Sequence, residues 1–276
     1  MTSSRFPLIL PPSELAPRLG DDNLVIVDVD AAESFYQAHI PGAVQLDYAD
    51  ITATRKLATG LLPDIAHLST VLSRLGIQTD SHVIAYDDEG GGRAGRLLWT
   101  LAAIGHKHYS LLDGGIRAWR HDKHPISQEI KEVIKSRYQA IYAEGIVADR
   151  DYVLAHLNDK NIALLDTRSP QEYHGEEKLA ERVGHIPGAI NYNWVLAMDH
   201  HNSLRLRPTS ELRQEMMDLG ITEDKEIIVY CQTHHRSAHT YIMLKALGYP
   251  RVRAYPGSWS EWGNLADTPI KHKPVE

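Results

Sequence analysis

The chain alternates short apolar runs with longer segments in which apolar residues recur at helical spacing. The runs that lead to Asp28 and Asp166, and the run EIIVY at 226–230, are typical of buried strands. Residues 238–249, AHTYIMLKALGY, have the periodicity of a helix. Strands that alternate with helices predict an α/β fold, in which a mainly parallel central sheet is flanked by helices.

Three residues mark expected helix ends. Ser13, before ELAPRL, and Asp149, before RDYVLAHL, are predicted N-caps, because a short polar side chain can accept a hydrogen bond from a free N–H of the first turn. Gly248 is expected to end the helix that begins near residue 238, because glycine readily adopts the left-handed conformation that terminates helices.

The order of the motifs indicates that the chain repeats itself. Residues 24–48 and 162–192 each contain a strand that ends in Asp, an aromatic residue seven positions later, and then His-Ile-Pro-Gly-Ala. Residues 82–119 and 226–262 also match, with a constant offset from their shared arginine to their shared tryptophan. Agreement in both order and spacing predicts a tandem duplication.

The duplication divides the chain into two domains of the same fold. We predict an N-terminal domain at 1–126, a linker at 127–145 and a C-terminal domain at 146–276. The linker is polar and has no Gly or Pro until its last residue. The second copy carries eight extra residues, mostly GEEKLAER at 175–182, which a surface loop is expected to tolerate.

Composition narrows the partners and the compartment. A hydrophobic content of 43% fits a soluble globular protein, and a net charge of −7 argues against nucleic acid or an anionic membrane as partner. No apolar stretch approaches the ~20 residues that span a bilayer, and the N-terminal stretch is too short for a signal sequence. Because the single cysteine cannot form an internal disulfide, we expect the protein to reside in a reducing compartment, most simply the cytoplasm. Extensive contact between duplicated halves predicts a monomer.

The single cysteine stands in a loop with distinctive chemistry. Cys231 follows the strand at 226–230, and four residues separate it from Arg236, after which a helix is predicted. In a strand–turn–helix arrangement, successive backbone N–H groups can converge on an anion. A thiolate in that position would have its pKa lowered from about 8.5. The planar fork of Arg236 could bind an oxyanion above the sulfur.

A lone cysteine is most often a small buried hydrophobe, and two observations argue against that interpretation here. The five residues after Cys231 are all polar, and the duplicated loop, DDEGGGRA, has Asp87 in the cysteine position. That first loop has no nucleophile, and Asp88 and Glu89 would repel anions. The asymmetry predicts that Cys231 is functional and that the first copy is inert.

These features together resemble the rhodanese sulfurtransferases over essentially the whole chain. The loop CQTHHR is most similar to that of bacterial thiosulfate sulfurtransferases of the two-domain type. The resemblance implies an inactive N-terminal domain, a catalytic C-terminal domain and a persulfide intermediate on Cys231. Arg236 and the loop N–H groups would bind the substrate anion. Asp166 and Arg168 match the family's D-x-R pair, which usually supports the site.

Thr233, His234 and His235 complete the predicted substrate-binding loop. Animal thiosulfate enzymes have a lysine two positions after the cysteine, and mercaptopyruvate enzymes have a small Gly/Ser-rich loop, whereas this chain has Thr233. The resemblance implies transfer of sulfane sulfur from thiosulfate or a similar small donor to a thiophilic acceptor. Cyanide, a thiol or a protein could accept the sulfur, and no cofactor is expected. Trp194 is expected to line the cleft.

Other functions would use similar residues. A mercaptopyruvate-type enzyme, or a sulfur carrier acting with a protein partner, would form the same persulfide. Phosphatase loops resemble Cys-plus-five-plus-Arg, one residue longer than this loop. A zinc site at Cys231, His235 and His239 lacks a fourth ligand, so no metal is expected. A dithiol oxidoreductase built from this chain alone would need a second cysteine.

Overall fold

The computed structural model of the protein describes residues 6–272. The first five residues of the N-terminal stretch considered above, and the last four residues of the chain, lie outside the described residues. Between residues 6 and 272, no helix combines the length and the apolar composition that crossing a membrane requires.

The chain folds into alternating strands and helices. The strands of the described range are β1 (Ile9–Leu10), β2 (Leu24–Asp28), β3 (Val44–Gln45), β4 (Ala53–Arg55), β5 (Ala58–Leu61), β6 (His82–Tyr86), β7 (Tyr109–Leu112), β8 (Ile162–Asp166), β9 (Ile190–Asn191), β10 (Met198–Asp199), β11 (Arg205–Leu206), β12 (Glu226–Tyr230) and β13 (Val252–Ala254). The helices are α1 (Pro12–Leu15), α2 (Ala32–Gln37), α3 (Ile65–Arg74), α4 (Gly92–Ala103), α5 (Gly115–His121), α6 (Arg150–Ala155), α7 (Pro170–His174), α8 (Thr209–Asp218), α9 (Arg236–Ala246) and α10 (Ser258–Trp262). Short 3₁₀ helices span Ala16–Arg18, Tyr48–Ile51 and Trp194–Ala197.

Two central sheets have matching topologies. One has the strand order β1-β7-β6-β2-β3, and all neighbouring strands in it are parallel. The other has the order β13-β12-β8-β9 and is also parallel throughout. Apart from β1, the first order maps strand for strand onto the second. The predicted α/β fold with mainly parallel sheets is confirmed.

The two central strands explain both the apolar runs and the position of the loops. All five residues of β6 are buried, and so are the last four of β12. Strands of a parallel sheet are covered on both faces, so their sequences are continuously apolar. Asp87 directly follows β6 and Cys231 directly follows β12. Both residues therefore lie at the carboxyl ends of parallel strands, where α/β proteins bind ligands.

The described residues divide into two compact units. Unit 1 contains the residues up to Ile51, Pro63–Ala143 and Met198–Leu206. Unit 2 contains Thr52–Leu62, Glu144–Ala197 and the residues from Arg207 onward. The β4–β5 hairpin is thus part of unit 2, although it precedes the linker in sequence. The exact boundaries at 126, 127, 145 and 146 stay a prediction.

The predicted linker has neither helix nor strand between residues 128 and 143. Backbone hydrogen bonds nevertheless hold its second half in place within unit 1. Ser136 N donates to the carbonyl of Ser73 at 3.0 Å, and Ala143 N donates to the carbonyl of Ala103 at 2.8 Å. Because these bonds satisfy polar groups that strand pairing would otherwise satisfy, an extended segment can be ordered without joining a sheet.

Two of the three predicted helix ends are confirmed. The side chain of Asp149 accepts a hydrogen bond from Tyr152 N at 2.8 Å and caps α6. Gly248 has a φ of +91° shortly after α9 ends. The prediction for Ser13 is wrong, because Ser13 lies inside α1 and Pro11 occupies the N-cap position. Pro12 supplies the preset φ of a first helical residue, so the helix begins without a side-chain cap.

The repeated His-Ile-Pro-Gly-Ala turns are held in the same way in both copies. The Nδ1–H of His39 donates to the carbonyl of Phe35 at 2.7 Å, and the two rings stack at 4.0 Å. His185 donates to the carbonyl of Tyr173 at 2.7 Å and stacks on its ring at 3.6 Å. The two histidines therefore pin the turns, and the duplication extends to side-chain contacts.

The loop after β6 binds its own carboxylate. Asp87 is fully buried, and its Oδ1 accepts hydrogen bonds from Glu89 N at 3.1 Å and from Gly91 N at 2.7 Å. Its Oδ2 accepts one from Ala94 N at 2.9 Å. Burial raises the pKa of Asp87 to about 6, although the three N–H groups favour the ionised form. The converging N–H groups of the first loop are thus occupied by the loop's own side chain.

A second buried carboxylate lies beside this loop. Asp30 accepts hydrogen bonds from Asp88 N at 3.0 Å and from Arg93 Nη1 at 3.1 Å. Burial and, after it, the negative charges of Asp28, Asp87 and Asp88 raise the pKa of Asp30 to about 8. The folded state of unit 1 therefore favours a protonated Asp30 across the neutral range.

This arrangement predicts that Asp30→Asn stabilises the protein at alkaline pH. A carboxyl whose folded pKa lies above its unfolded value of about 3.9 contributes stability below that value and loses it as the pH rises through the folded pKa. Relative to wild type, the free energy of unfolding of Asp30→Asn should therefore rise by about 4 kcal/mol between pH 5 and pH 8. Chemical denaturation at the two pH values measures the difference.

The exposed Asp80, also in unit 1, provides the matched control, and Asp80→Asn should shift the unfolding free energy similarly at both pH values. An Asp30→Asn variant that is less stable than wild type at pH 8 would mean that the carboxylate and its bond to Arg93 stabilise the fold.

Candidate active site

Cys231 is the first residue of the loop that follows β12, and hydrogen bonds hold its backbone in place. We call residues 231–236 the Cys231 loop. The Cys231 N–H donates to Ser258 Oγ at 3.3 Å, and the carbonyl of Cys231 accepts from Trp259 N at 2.9 Å. Both partners belong to α10, so the sulfur is carried by backbone that is tied on both sides. The residue is fully buried.

The surroundings of the sulfur favour its ionised form. Burial acts most strongly and by itself would raise the pKa of Cys231, but several groups outweigh it. These are the positive charge of Arg236, the hydroxyl of Ser237 at 3.4 Å from Sγ, and the backbone N–H groups of Ser237 and Thr233. The net effect lowers the pKa of the thiol, in the direction that the loop sequence predicts.

Arg236 is held by a carboxylate that the sequence did not identify. Both terminal nitrogens of its guanidinium donate to Glu172, and Nη2 lies 2.8 Å from Oε1. Glu172 is the N3 residue of a capping box with Ser169 at the start of α7. The Arg236 bonds outweigh burial and lower the pKa of Glu172. The guanidinium of Arg236 therefore binds a protein carboxylate, and Arg236 acts on the Cys231 sulfur through its positive charge.

Asp166 and Arg168 form a buried ion pair at the end of β8. Arg168 Nη2 lies 2.6 Å from Asp166 Oδ2 and donates to the carbonyl of Gly184 at 2.8 Å. The guanidinium carbon lies 4.5 Å from the centre of the Trp259 ring. Asp166 is paired with Tyr230, the residue before Cys231, in the sheet. The pair therefore lies beside the strand that leads to the cysteine, and the supporting role predicted for it stays a prediction.

The three remaining predicted residues occupy different environments. Thr233 and His235 are half-buried. His234 is fully buried, has a φ of +54°, and places Nδ1 2.7 Å from Ser237 Oγ. The substrate-binding role predicted for Thr233, His234 and His235 stays a prediction. The burial of His234 and its bond to Ser237 indicate that its side chain faces the interior of the loop.

The ring of Trp194 lies beside the Cys231 loop and the start of α9. The half-buried Trp194 lies edge-on to His235 and His239, with ring centres 5.7 and 5.5 Å apart. Trp194 therefore contacts the Cys231 loop through His235, and its expected place in the cleft stays a prediction. Across residues 6–272, no group of three or more His, Cys, Asp and Glu side chains is arranged to hold a metal ion.

The β4–β5 hairpin, which belongs to unit 2, packs directly on the Cys231 loop. Thr59 N donates to Ser260 Oγ at 3.2 Å. A Cβ atom placed on Gly60 would lie 2.0 Å from the carbonyl oxygen of Thr233 and 2.9 Å from that of Pro256. Only a residue without a side chain allows this approach, so the hairpin backbone supports the loop backbone directly.

The extra segment of the second copy is also attached to the loop. Gln232 Nε2 donates to the carbonyl of Leu179 at 2.9 Å. Arg182 donates to the carbonyls of Thr268 at 2.7 Å and Trp262 at 2.8 Å. The segment at 175–182 exposes most of its side chains, as predicted, but it is anchored at its middle and its end.

Comparison with known proteins agrees with this geometry. The sequence profile of the Rhodanese-like domain matches the chain twice, at 11–122 and at 149–265. The two matches confirm the tandem domains that the repeated motifs predict.

Relatives extend over nearly the whole chain. The Thiosulfate sulfurtransferase of Pseudomonas aeruginosa is 44% identical, with 97% of this chain and 98% of the relative aligned. The Sulfur carrier protein TtuD of Thermus thermophilus is 37% identical, with 91% of this chain and 92% of the relative aligned.

A solved structure gives the same assignment. SseA from Escherichia coli, described as a 3-mercaptopyruvate sulfotransferase of rhodanese fold, superposes with a TM-score of 0.83 at 26% identity. The match covers 92% of this chain and 99% of SseA. Because both copies match the domain profile and the relatives span nearly the whole chain, the protein belongs to the rhodanese family.

Proposed function

We propose that this protein is a sulfurtransferase that moves sulfane sulfur from thiosulfate, or a similar donor, to a thiophilic acceptor through a persulfide on Cys231. The observation that carries the proposal is a buried single cysteine whose pKa is lowered by the charge of Arg236, the hydroxyl of Ser237 and loop N–H groups. A buried thiol whose pKa is lowered by its neighbours is typical of a nucleophile. The name of the relative from Pseudomonas aeruginosa supports thiosulfate as the donor.

The proposed reaction balances with one protein sulfur. The Cys231 thiolate attacks the outer sulfur of thiosulfate, the sulfur–sulfur bond of the donor breaks, and sulfite leaves with the electron pair of that bond. The product is the cysteine persulfide anion. Cyanide or a thiolate then attacks the outer sulfur of the persulfide, which regenerates the Cys231 thiolate and releases thiocyanate or a new persulfide.

Each residue of the site has a role in this scheme. The loop N–H groups and Ser237 stabilise negative charge, first on the thiolate and then on the persulfide. Arg236 adds a fixed positive charge, and Glu172 determines where that charge lies. Thr233 and His235, which are half-buried, are proposed to contact the donor, because their side chains retain access to solvent.

A sulfur carrier that delivers to a protein partner is the second candidate. It is favoured by the name of the relative from Thermus thermophilus and by the exposed segment that Gln232 ties to the loop. A mercaptopyruvate donor would use the same thiolate.

The phosphatase alternative finds no support, because the loop keeps four residues between Cys231 and Arg236. The single cysteine supports a reducing compartment, which we propose to be the cytoplasm.

The first test is the persulfide itself. Incubation of the protein with thiosulfate should give a species heavier by one sulfur atom, which cyanide converts back with release of thiocyanate. Intact-mass spectrometry and a thiocyanate assay follow both steps. Cys231→Ser should show neither step. Thiocyanate formation by Cys231→Ser at the wild-type rate would exclude the proposed nucleophile. A persulfide that forms but does not turn over with cyanide or small thiols would favour the carrier.

A second prediction concerns the hairpin that supports the loop. Gly60→Ala would place a methyl group against the carbonyl of Thr233, so the loop backbone must move. Displacements of this kind near a reacting centre reduce rates by about ten- to a hundredfold, and we expect kcat/KM for thiosulfate to fall accordingly. Steady-state kinetics measure the change. Thr59→Ala, at an exposed neighbouring position of β5, is the control and should keep wild-type kinetics. A folded Gly60→Ala variant with wild-type kcat/KM would contradict the close support inferred here.

A third prediction is that the first copy is catalytically silent. Asp87→Asn keeps the shape of the side chain but turns an amide toward backbone donors, which should lower the free energy of unfolding by about 1–3 kcal/mol. At a temperature where the variant is folded, kcat/KM should stay within about twofold of wild type, since the first loop contributes no nucleophile. A large loss of turnover in the folded variant would show that the first loop takes part in the reaction.

A further inference from the structure

His234 has no role in the scheme above beyond its place in the loop. We infer that His234 is a positioning residue, which directs the hydroxyl proton of Ser237 toward the sulfur of Cys231. The inference rests on the proposed function, because it assigns to His234 and Ser237 a part in preparing the same nucleophile. It predicts an effect on the thiolate itself, which can be measured without any sulfur transfer.

The geometry forms a continuous chain of three side chains. His234 Nδ1 lies 2.7 Å from Ser237 Oγ, and Ser237 Oγ lies 3.4 Å from Cys231 Sγ. All three residues are fully buried. The serine hydroxyl has one proton and can donate it either to the sulfur or to the imidazole nitrogen.

The tautomer of His234 decides between these two donations. If Nδ1 carries the proton, it donates to Ser237 Oγ, and the serine proton is directed to the sulfur. If Nδ1 is unprotonated, it accepts the serine proton, and the sulfur loses that donor. A thiolate can only accept hydrogen bonds, so the first arrangement is the one that stabilises it. The Nδ1-protonated tautomer of His234 therefore favours the thiolate form of Cys231.

The duplicated loop provides an independent observation. Counted from the arginine that both loops share, His234 corresponds to Gly91 and Ser237 corresponds to Ala94. The copy without the cysteine thus lacks both side chains of the chain of hydrogen bonds. There the N–H groups of Gly91 and Ala94 donate to Asp87. Of the two loops, the one that carries the cysteine is therefore the one that has the histidine and the serine.

The backbone at this position makes the histidine costly. Gly91 has a φ of +104° and His234 has a φ of +54°, so both positions lie in the left-handed region. Glycine adopts that region without a steric penalty, whereas a residue with a Cβ atom does so at a cost of a fraction to a few kcal/mol. In the first copy, Gly91 provides the same left-handed backbone conformation without a side chain, so the turn itself does not need a histidine. The strained histidine therefore indicates a function of the imidazole.

The other charged groups near the sulfur come from neighbouring elements and are unchanged in the variants below. Arg236 lies at the start of α9, Glu172 lies in α7 and binds Arg236, and the ion pair of Asp166 and Arg168 ends β8. Ser237→Ala changes no titratable group, so a double variant that shifts no further than Ser237→Ala shows that His234 acts through the hydrogen bond and not through a charge on its imidazole.

The test is a titration of the single thiol in four proteins. His234→Gly removes the imidazole and relaxes the strained φ, so folding should be preserved. His234→Asn keeps a side-chain N–H close to the position of Nδ1 and tolerates the left-handed region. Ser237→Ala removes the hydroxyl, and the double variant His234→Gly/Ser237→Ala removes both. Thiolate ultraviolet absorbance between pH 4 and 9, with Cys231→Ser subtracted as the blank, gives the pKa of Cys231.

We expect His234→Gly to raise the pKa of Cys231 by about one unit and to slow persulfide formation from thiosulfate about tenfold at a pH below that pKa. Ser237→Ala should give a shift at least as large, because it removes the hydrogen bond itself, and the double variant should give no more than Ser237→Ala alone, because His234 acts through that same hydrogen bond. His234→Asn should restore the wild-type titration within a few tenths of a unit.

Two results would overturn the inference. The first is a wild-type thiol titration in His234→Gly. The second is a double variant in which the two shifts add, because His234 would then act independently of Ser237. Should His234→Gly fail to fold, His234→Ala, which also lacks the imidazole, takes its place, and a wild-type thiol titration in His234→Ala would equally overturn the inference. A wild-type protein that titrates as expected but transfers no sulfur would refute the proposed function and leave the role of His234 intact.

Discussion

The site depends on stabilising negative charge on a buried sulfur at the carboxyl end of a central strand. Burial of the Cys231 sulfur opposes ionisation, and the loop offsets this with the charge of Arg236, the hydroxyl of Ser237 and converging N–H groups. The surrounding features secure those compensating groups. Glu172 holds Arg236, α10 holds the backbone of Cys231, and the hairpin at 52–62 packs against the loop.

In both copies, backbone N–H groups of the loop are directed at one buried acidic group, which is Asp87 in the first copy and Cys231 in the second. In the first loop the carboxylate of Asp87 accepts the converging N–H groups, and its oxygens leave those donors satisfied within the protein. In the second loop a sulfur occupies the corresponding position, and a hydroxyl and an arginine are added. The first loop is therefore stable and self-contained, whereas the second keeps a polarisable anion that can react. The same fold directs N–H groups at one point in both copies, so it can hold either a structural carboxylate or a reactive thiol there.

Much of this arrangement could be predicted from the sequence. The repeated motifs indicated the two domains, the apolar runs indicated the parallel sheets, and the lone Cys231 four residues before Arg236 located the candidate site. These features depend on local pattern and spacing. Other features depend on contacts between residues that are distant in sequence. The bond between Glu172 and Arg236 is one example: the S-x-x-E pattern at 169–172 indicates a helix cap, but nothing local indicates the arginine.

The placement of the β4–β5 hairpin in unit 2 and the inward orientation of His234 were also beyond the sequence, since both are determined by packing. The most direct test of the account is the titration of the wild-type thiol, measured as the thiolate absorbance of the protein minus that of Cys231→Ser. The account predicts a midpoint clearly below the value of about 8.5 for a free cysteine. A midpoint at or above that value would contradict it, because burial would then outweigh every compensating group in the loop.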